Sequence, residues 1–143
     1  MNYKILEGDC IESLKTLDDE SVNCCVTSPP YWGLRDYGES DQLGLEETPE
    51  EYVTNMVKVF SEVKRVLTKD GTLWLNLGDS YAGNCSRTSS GRAGMGKERE
   101  GIYSRLGDGL KSKDLVGIPW RVAFALQADG WYLRQDIIWH KPN

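Results

Sequence analysis

Short β-favouring runs alternate with helical stretches along this chain, and that alternation predicts an α/β fold. Two of the runs, residues 22–26 and 72–77, carry no charge at all, the pattern of strands buried in a parallel sheet. Residues 3–7 read as a first short strand. A short helix over residues 10–17 follows, with Cys10, Ile11, Leu14 and Leu17 apolar, and Asp18-Asp19-Glu20 breaks it. The run at 22–26 is expected to be a central strand, halted where Pro29 and Pro30 remove the ladder donors.

Residues 31–47 read as an irregular loop. At Thr48-Pro49-Glu50-Glu51 a helix is signalled three ways: a capping hydroxyl, a proline suited to the first position, and a Glu that completes a capping box. Val53, Met56, Val57, Phe60, Val63 and Leu67 form its apolar stripe, and Lys69-Asp70-Gly71 is expected to end it. The strand at 72–77 then runs out at Gly78-Asp79-Ser80. A further helix should begin between Asp114 and Pro119, bury Val122 and Leu126, and stop at Gly130. The alternation over residues 131–139 predicts one more strand. Trp74, Trp120 and Trp131 are most simply core residues, and His140 ends a strand with no partner in view.

With 143 residues and 39% hydrophobic content, a single domain spanning residues 1–143 is expected. No apolar run reaches the length of a membrane span, and the opening Met1-Asn2-Tyr3-Lys4 lacks the apolar stretch of a secretory signal, so a cytoplasmic protein without membrane contact is expected. Cys10, Cys24, Cys25 and Cys85 show no C-x-x-C spacing, which points to reduced structural thiols and no metal site. The net charge of -5 argues against nucleic acid until its distribution is considered. Residues 1–83 hold 7 basic against 16 acidic side chains, whereas residues 84–143 hold 10 against 6. Residues 84–113 concentrate the positive charge in a Gly- and Ser-rich stretch, read as a basic loop.

In an open α/β sheet ligands bind beyond the carboxyl ends of the strands, and Ser28-Pro29-Pro30-Tyr31 follows one such end directly. Two prolines fix φ and delete two N–H donors, so the loop is stiff and rich in acceptors, with the Ser28 hydroxyl beside its carbonyl oxygens. That surface suits an amino group. Tyr31 and Trp32 add flat faces on which an unstacked base could lie.

Thr27-Ser28-Pro29-Pro30-Tyr31-Trp32 resembles the S/D/N-P-P-Y/F/W motif of the DNA methyltransferases that modify exocyclic amino groups. The opening Ile5-Leu6-Glu7-Gly8-Asp9-Cys10, residues 71–78, and the closing Trp139-His140-Lys141-Pro142-Asn143 are similar to the circularly permuted class of that family, in which the catalytic motif precedes the glycine motif. The resemblance implies a Rossmann-like fold using S-adenosyl-L-methionine, with the target base flipped out of DNA. It implies that Tyr31 stacks on the base while the Ser28 side chain and the Pro29 carbonyl accept hydrogen bonds from its amine. Serine at the first motif position resembles the N4-cytosine enzymes more than the N6-adenine enzymes, which favour aspartate there. No Pro-Cys pair exists to serve as the nucleophile of a C5-cytosine enzyme.

Family members of this class also carry a D-P-F-x-G-S-G-like segment that holds the cofactor, and this sequence has none. The expectation is therefore an incomplete methyltransferase fold, inactive alone and completed by a glycine-motif half or a second polypeptide. Several readings stay open. Asp9 could hold the adenosine end of the cofactor, as the family suggests, or cap the helix beginning at Cys10. Asp79 reads first as a turn residue. Arg87, Arg92, Lys97, Arg99 and Arg105 are expected to contact DNA phosphates, against the alternative of a solvated loop. Adenine methylation by the same geometry, or a non-catalytic DNA-binding or subunit module, are the other readings of the whole.

Overall fold

In the computed structural model, residues 3–39, 41–82 and 109–142 are described. Their elements run α1 (Cys10–Lys15), β1 (Val22–Thr27), α2 (Pro49–Val66), β2 (Leu67–Leu75) and α3 (Ile118–Ala128). β1 and β2 pair in parallel with α2 as the crossover between them, which makes a mixed α/β architecture around a small parallel sheet. The class is the one the alternating pattern predicts.

α2 is the centre of the fold. Its capping box forms as the sequence requires: the Glu51 amide donates to Thr48 Oγ1 at 3.2 Å, and Glu51 Oε2 accepts from the Thr48 amide at 3.3 Å. Tyr52, Met56, Phe60 and Val63 lie on one face and are buried. They meet Ile118, Val122 and Leu126, which recur every four residues on α3. Fully burying a side chain of this size stabilises by about 1.5–3 kcal/mol, so this helix pair is a main source of stability. Arg65 fastens α1 to the same helix, its guanidinium donating to the carbonyls of Leu14 and Leu17 at 2.9 and 3.1 Å.

The helix stops earlier than its pattern suggests, at Val66, and Leu67 already begins β2 while remaining buried in the core. Val22 pairs with Leu67 but Cys24 pairs with Thr72. Residues 68–71 are therefore an excursion within β2, and it contains the Lys69-Asp70-Gly71 turn expected at the helix end. Regular pairing runs from Thr72 to Leu75, two residues short of the expected strand end.

Three further expectations are corrected. β1 is covered on one face only: Val22 and Cys25 pack toward the core, whereas Cys24 and Val26 face solvent beside Trp74. Residues 3–7 and 131–139 form no strands, because a strand exists only as a ladder partner and, among the described residues, β1 and β2 pair with each other alone. Apart from Trp131 their side chains are left outside, with Ile5 and Trp139 both more than 80% exposed. Trp74 and Trp120 are half-exposed instead of core, since β2 turns its Leu73 and Leu75 inward and α3 its Ile118, Val122 and Leu126. Trp131 does pack against the core.

α3 begins at Ile118 behind Gly117, a residue with no side chain to cap it. The cap comes from the end of β2. Asp79 Oδ1 accepts from the amides of Gly117 and Ile118 at 3.0 Å each and from Ser80 N at 2.8 Å. Asp79 thus does more than shape a turn: it binds the loop after β2 to the start of α3. Among the described residues no helix is long and apolar enough to cross a membrane, and no cluster of His, Cys, Asp or Glu is arranged for a metal ion. Asp79→Ala is expected to lower the unfolding free energy by about 1–2 kcal/mol in urea titration, the usual scale of a lost helix cap. Unchanged stability would show that the cap is replaced.

Candidate functional site

Because β1 and β2 are parallel and Thr27 lies opposite Leu75, the two strands finish side by side at one edge of the sheet. The Asn76 amide donates to the Thr27 carbonyl at 2.9 Å and extends the ladder one step past β2. Ser28 and Asn76, the first residues beyond the paired ends, are therefore neighbours.

The two prolines keep the chain from rejoining the ladder, and successive carbonyls of the turn are then claimed one by one. Tyr52, reaching up from α2, donates its hydroxyl to Pro30 O at 2.9 Å. The Leu34 amide donates to Tyr31 O at 3.3 Å, and Ser80 Oγ donates to Trp32 O at 3.1 Å. Burial, then Glu46 and Tyr31 nearby, push the Tyr52 phenol well above its ordinary pKa, so it stays a donor throughout the working pH range. Pro29 O is different. Among the described residues no donor satisfies it, and Ser28 beside it is exposed.

Tyr31 stands half-buried over this edge. Its hydroxyl accepts from Ser28 Oγ at 3.1 Å and from Asn76 Nδ2 at 2.8 Å, and Asn76 Nδ2 also lies 3.4 Å from Ser28 Oγ. One side of the ring rests on Gly78, where a Cβ would come within 2.8 Å of both Cδ2 and Cε2. Gly44 closes the turn from below with φ +95°, accepting from Gly33 N at 2.7 Å. A Cβ there would sit 2.8 Å from Tyr31 O, so both the backbone angle and the space demand glycine. The result is an acceptor rim, Ser28 Oγ and Pro29 O, beside an aromatic ring held in place from two sides.

Of the residues singled out from sequence, Ser28, Pro29, Pro30 and Tyr31 are brought together here. Trp32 is not an accessible stacking face: its side chain is 7% exposed, its ring packs in the core with Tyr52, and its indole N–H donates to Glu46 O at 3.0 Å. A buried indole needs an acceptor, and only the interior offers that one. Asp9 caps α1, its Oδ1 accepting from the Ile11 and Glu12 amides at 2.9 and 3.0 Å. Its hydrogen bonds are all to that helix, so the capping half of its reading is seen. Arg87, Arg92, Lys97, Arg99 and Arg105 lie outside the described residues.

Asn76, Tyr52, Gly78 and Gly44 were not singled out. Asn76 had a legible signal, as the first polar residue after the apolar run of β2, but extending that strand to Leu77 concealed it. Tyr52 reads as one more member of a helical stripe, and nothing local marks its hydroxyl as the brace of a loop 22 residues away.

A proline-stiffened acceptor rim and a fixed ring at a sheet's carboxyl edge can now be set beside known proteins. A model of the N6/N4 DNA methylase family matches residues 22–143. This chain belongs to that DNA methylase family. It is 52% identical to the type II methyltransferase M.Cfr9I of Citrobacter freundii over 97% of this chain and 46% of that protein. With the type II methyltransferase M.SmaI of Serratia marcescens it shares 51% identity over 98% of this chain and 48% of the relative. M.XycI of Xanthomonas campestris pv. cyanopsidis is 54% identical over 97% and 46%. The chain thus spans about half the length of these curated relatives.

The role given to Tyr52 has a direct check. Tyr52→Phe is expected to reduce unfolding free energy by about 1–3 kcal/mol, because it leaves the Pro30 carbonyl beneath the rim without its donor. A denaturation midpoint equal to that of the unmutated protein would mean the turn is braced by something else.

Proposed function

We propose that this chain forms the catalytic part of a DNA methyltransferase that transfers a methyl group from S-adenosyl-L-methionine to the exocyclic amino group of a flipped base, with N4 of cytosine as the target. The observation that carries the reading is the selective openness of the rim. The carbonyls of residues 30, 31 and 32 each have a donor within the protein, whereas Pro29 O has none among the described residues, and Ser28 Oγ, already bonded to Tyr31 Oη and approached by Asn76 Nδ2 at 3.4 Å, keeps one lone pair for an amine. Membership of the DNA methylase family supplies the chemistry such a rim serves.

An exocyclic amine is a poor nucleophile because its lone pair is delocalised into the ring. Hydrogen bonds from both N–H groups to Ser28 Oγ and Pro29 O would hold the nitrogen in place and favour sp3 character, turning the lone pair toward the methyl donor. Tyr31 would take the face of the base, compensating the stacking lost on leaving the duplex. When bound, S-adenosyl-L-methionine supplies an electrophilic methyl on a sulfonium. As the nitrogen gains the methyl the sulfur–methyl bond would break to leave a neutral thioether, and the surplus proton on nitrogen would pass to solvent; no covalent bond to the protein is required, so the residues act by positioning and electrostatics. Serine at position 28 supports cytosine as the base, through the resemblance to the N4-cytosine enzymes.

For the cofactor, Asp9 and Ser28 are the side chains proposed to reach it. One oxygen of Asp9, Oδ1, is already committed to two helix amides. The fit is thus partial. The rest of a Rossmann-like sheet, with the glycine loop for the methionine part, is proposed to come from a further stretch of polypeptide, in the same chain or in a second one. The relatives' greater length supports this, as do the exposed residues 3–7 and 132–139 of the two strand-patterned segments. Arg87, Arg92, Lys97, Arg99 and Arg105 are proposed to meet DNA phosphates, a contribution that neutralising them would reveal as a shallower salt dependence of binding.

Nucleoside mass spectrometry of DNA from cells producing the protein tests the reading. N4-methylcytosine is expected when this chain is accompanied by the glycine-motif polypeptide, none when residues 1–143 are produced alone, and little with Ser28→Ala. N6-methyladenine in its place would overturn the choice of base. No methylated nucleoside under any condition would favour a non-catalytic module.

A further inference from the structure

The hydrogen count at the rim leads past the motif itself. Ser28 Oγ donates its single hydrogen to Tyr31 Oη, 3.1 Å away, and Asn76 Nδ2 donates to the same phenol oxygen at 2.8 Å. Asn76 Nδ2 stands 3.4 Å from Ser28 Oγ as well. A serine hydroxyl has one hydrogen and two lone pairs. With its hydrogen engaged by Tyr31 and one lone pair turned toward Asn76, the group that Ser28 shows to solvent is an acceptor. Left unconstrained, a serine hydroxyl rotates to suit whatever approaches and can face an amine with its hydrogen first. The backbone of Asn76 is itself held, its N–H bound to Thr27 O at 2.9 Å.

From this geometry we propose that Asn76 is the positioning residue of the methyl-transfer site, holding the Tyr31 ring upright through its hydroxyl and, by way of that phenol, keeping the Ser28 hydroxyl in its accepting orientation. The inference rests on the reading of residues 28–31 as the base-receiving rim. It adds a residue from the other strand of the sheet, one that need not touch the base. Gly78, two residues further on, completes the same device by giving the ring a flat floor. β1 thus supplies the groups that meet the substrate, and the end of β2 supplies those that aim them.

The test is steady-state methyl transfer by the enzyme in its natural, complete form, with Asn76→Ala and Tyr31→Phe made singly and together. Misplacement of a reacting group by about 1 Å can cost roughly 100-fold in rate, so Asn76→Ala is expected to lower kcat by about 10- to 100-fold, with the KM for DNA little changed. Because Asn76 acts through the Tyr31 hydroxyl, Asn76→Ala placed on Tyr31→Phe is expected to cost no more than about 3-fold further. A purely structural asparagine would give losses that multiply in the double variant, or a loss in unfolding midpoint without the kcat effect, and either result overturns the proposal. So does a kcat equal to that of the unmutated enzyme. Should Asn76→Ala fail to fold, Asn76→Asp, which keeps the size and loses the donors, is read by the same criteria. If the unmutated enzyme transfers no methyl group to DNA, the functional reading fails first, before any variant is compared, and this inference falls with it.

Discussion

Two parallel strands that end level with one another set the geometry of everything at the candidate site. Thr27 lies opposite Leu75, so the chain leaves β1 and β2 at the same height, and Ser28 and Asn76 emerge as neighbours. Had β2 been paired two residues out of step, Asn76 would lie inside the ladder or beyond reach of the Tyr31 hydroxyl. The excursion at residues 68–71 carries this register, because it takes up the surplus residues between the helix end and the point where regular pairing begins. A loop at the opposite end of the strands therefore helps decide which side chains meet at the candidate site.

Onto that edge the double proline imposes stiffness, and α2 adds a brace. Tyr52 is fully buried with the rest of its stripe, yet its one polar atom reaches Pro30 O. The same residue anchors the core and fixes the turn, which couples site geometry to the packing of α2 against α3. The carbonyls of Pro30, Tyr31 and Trp32 are each satisfied from within, while Pro29 O has no donor among the described residues.

Much of this was legible in the sequence. The capping box at Thr48 and Glu51, the buried stripe of α2 and the proline turn after β1 are local patterns, and local patterns survive folding when the tertiary contacts agree with them. The failures share a cause. Residues 131–139 and 3–7 have strand-like sequences, but strand formation depends on a partner that no local pattern can guarantee. The flat face of Trp32 suits a base by its chemistry, whereas its ring is buried in the core and its indole N–H donates to Glu46 O, 14 residues away. Asp79 and Asn76 act across the fold, and such pairings are invisible to spacing along the chain. The family matches supply what remains, and they do so for about half of each relative's length.

The central claim is that Ser28 Oγ and Pro29 O receive one amino group while Tyr31 receives the face of the same base. A crystal structure of the complete enzyme with DNA measures this directly. The account requires the extruded base to lie on the Tyr31 ring with its exocyclic nitrogen about 3 Å from both Ser28 Oγ and Pro29 O. A base bound elsewhere, or one presenting a ring carbonyl rather than an amine to those oxygens, would contradict it.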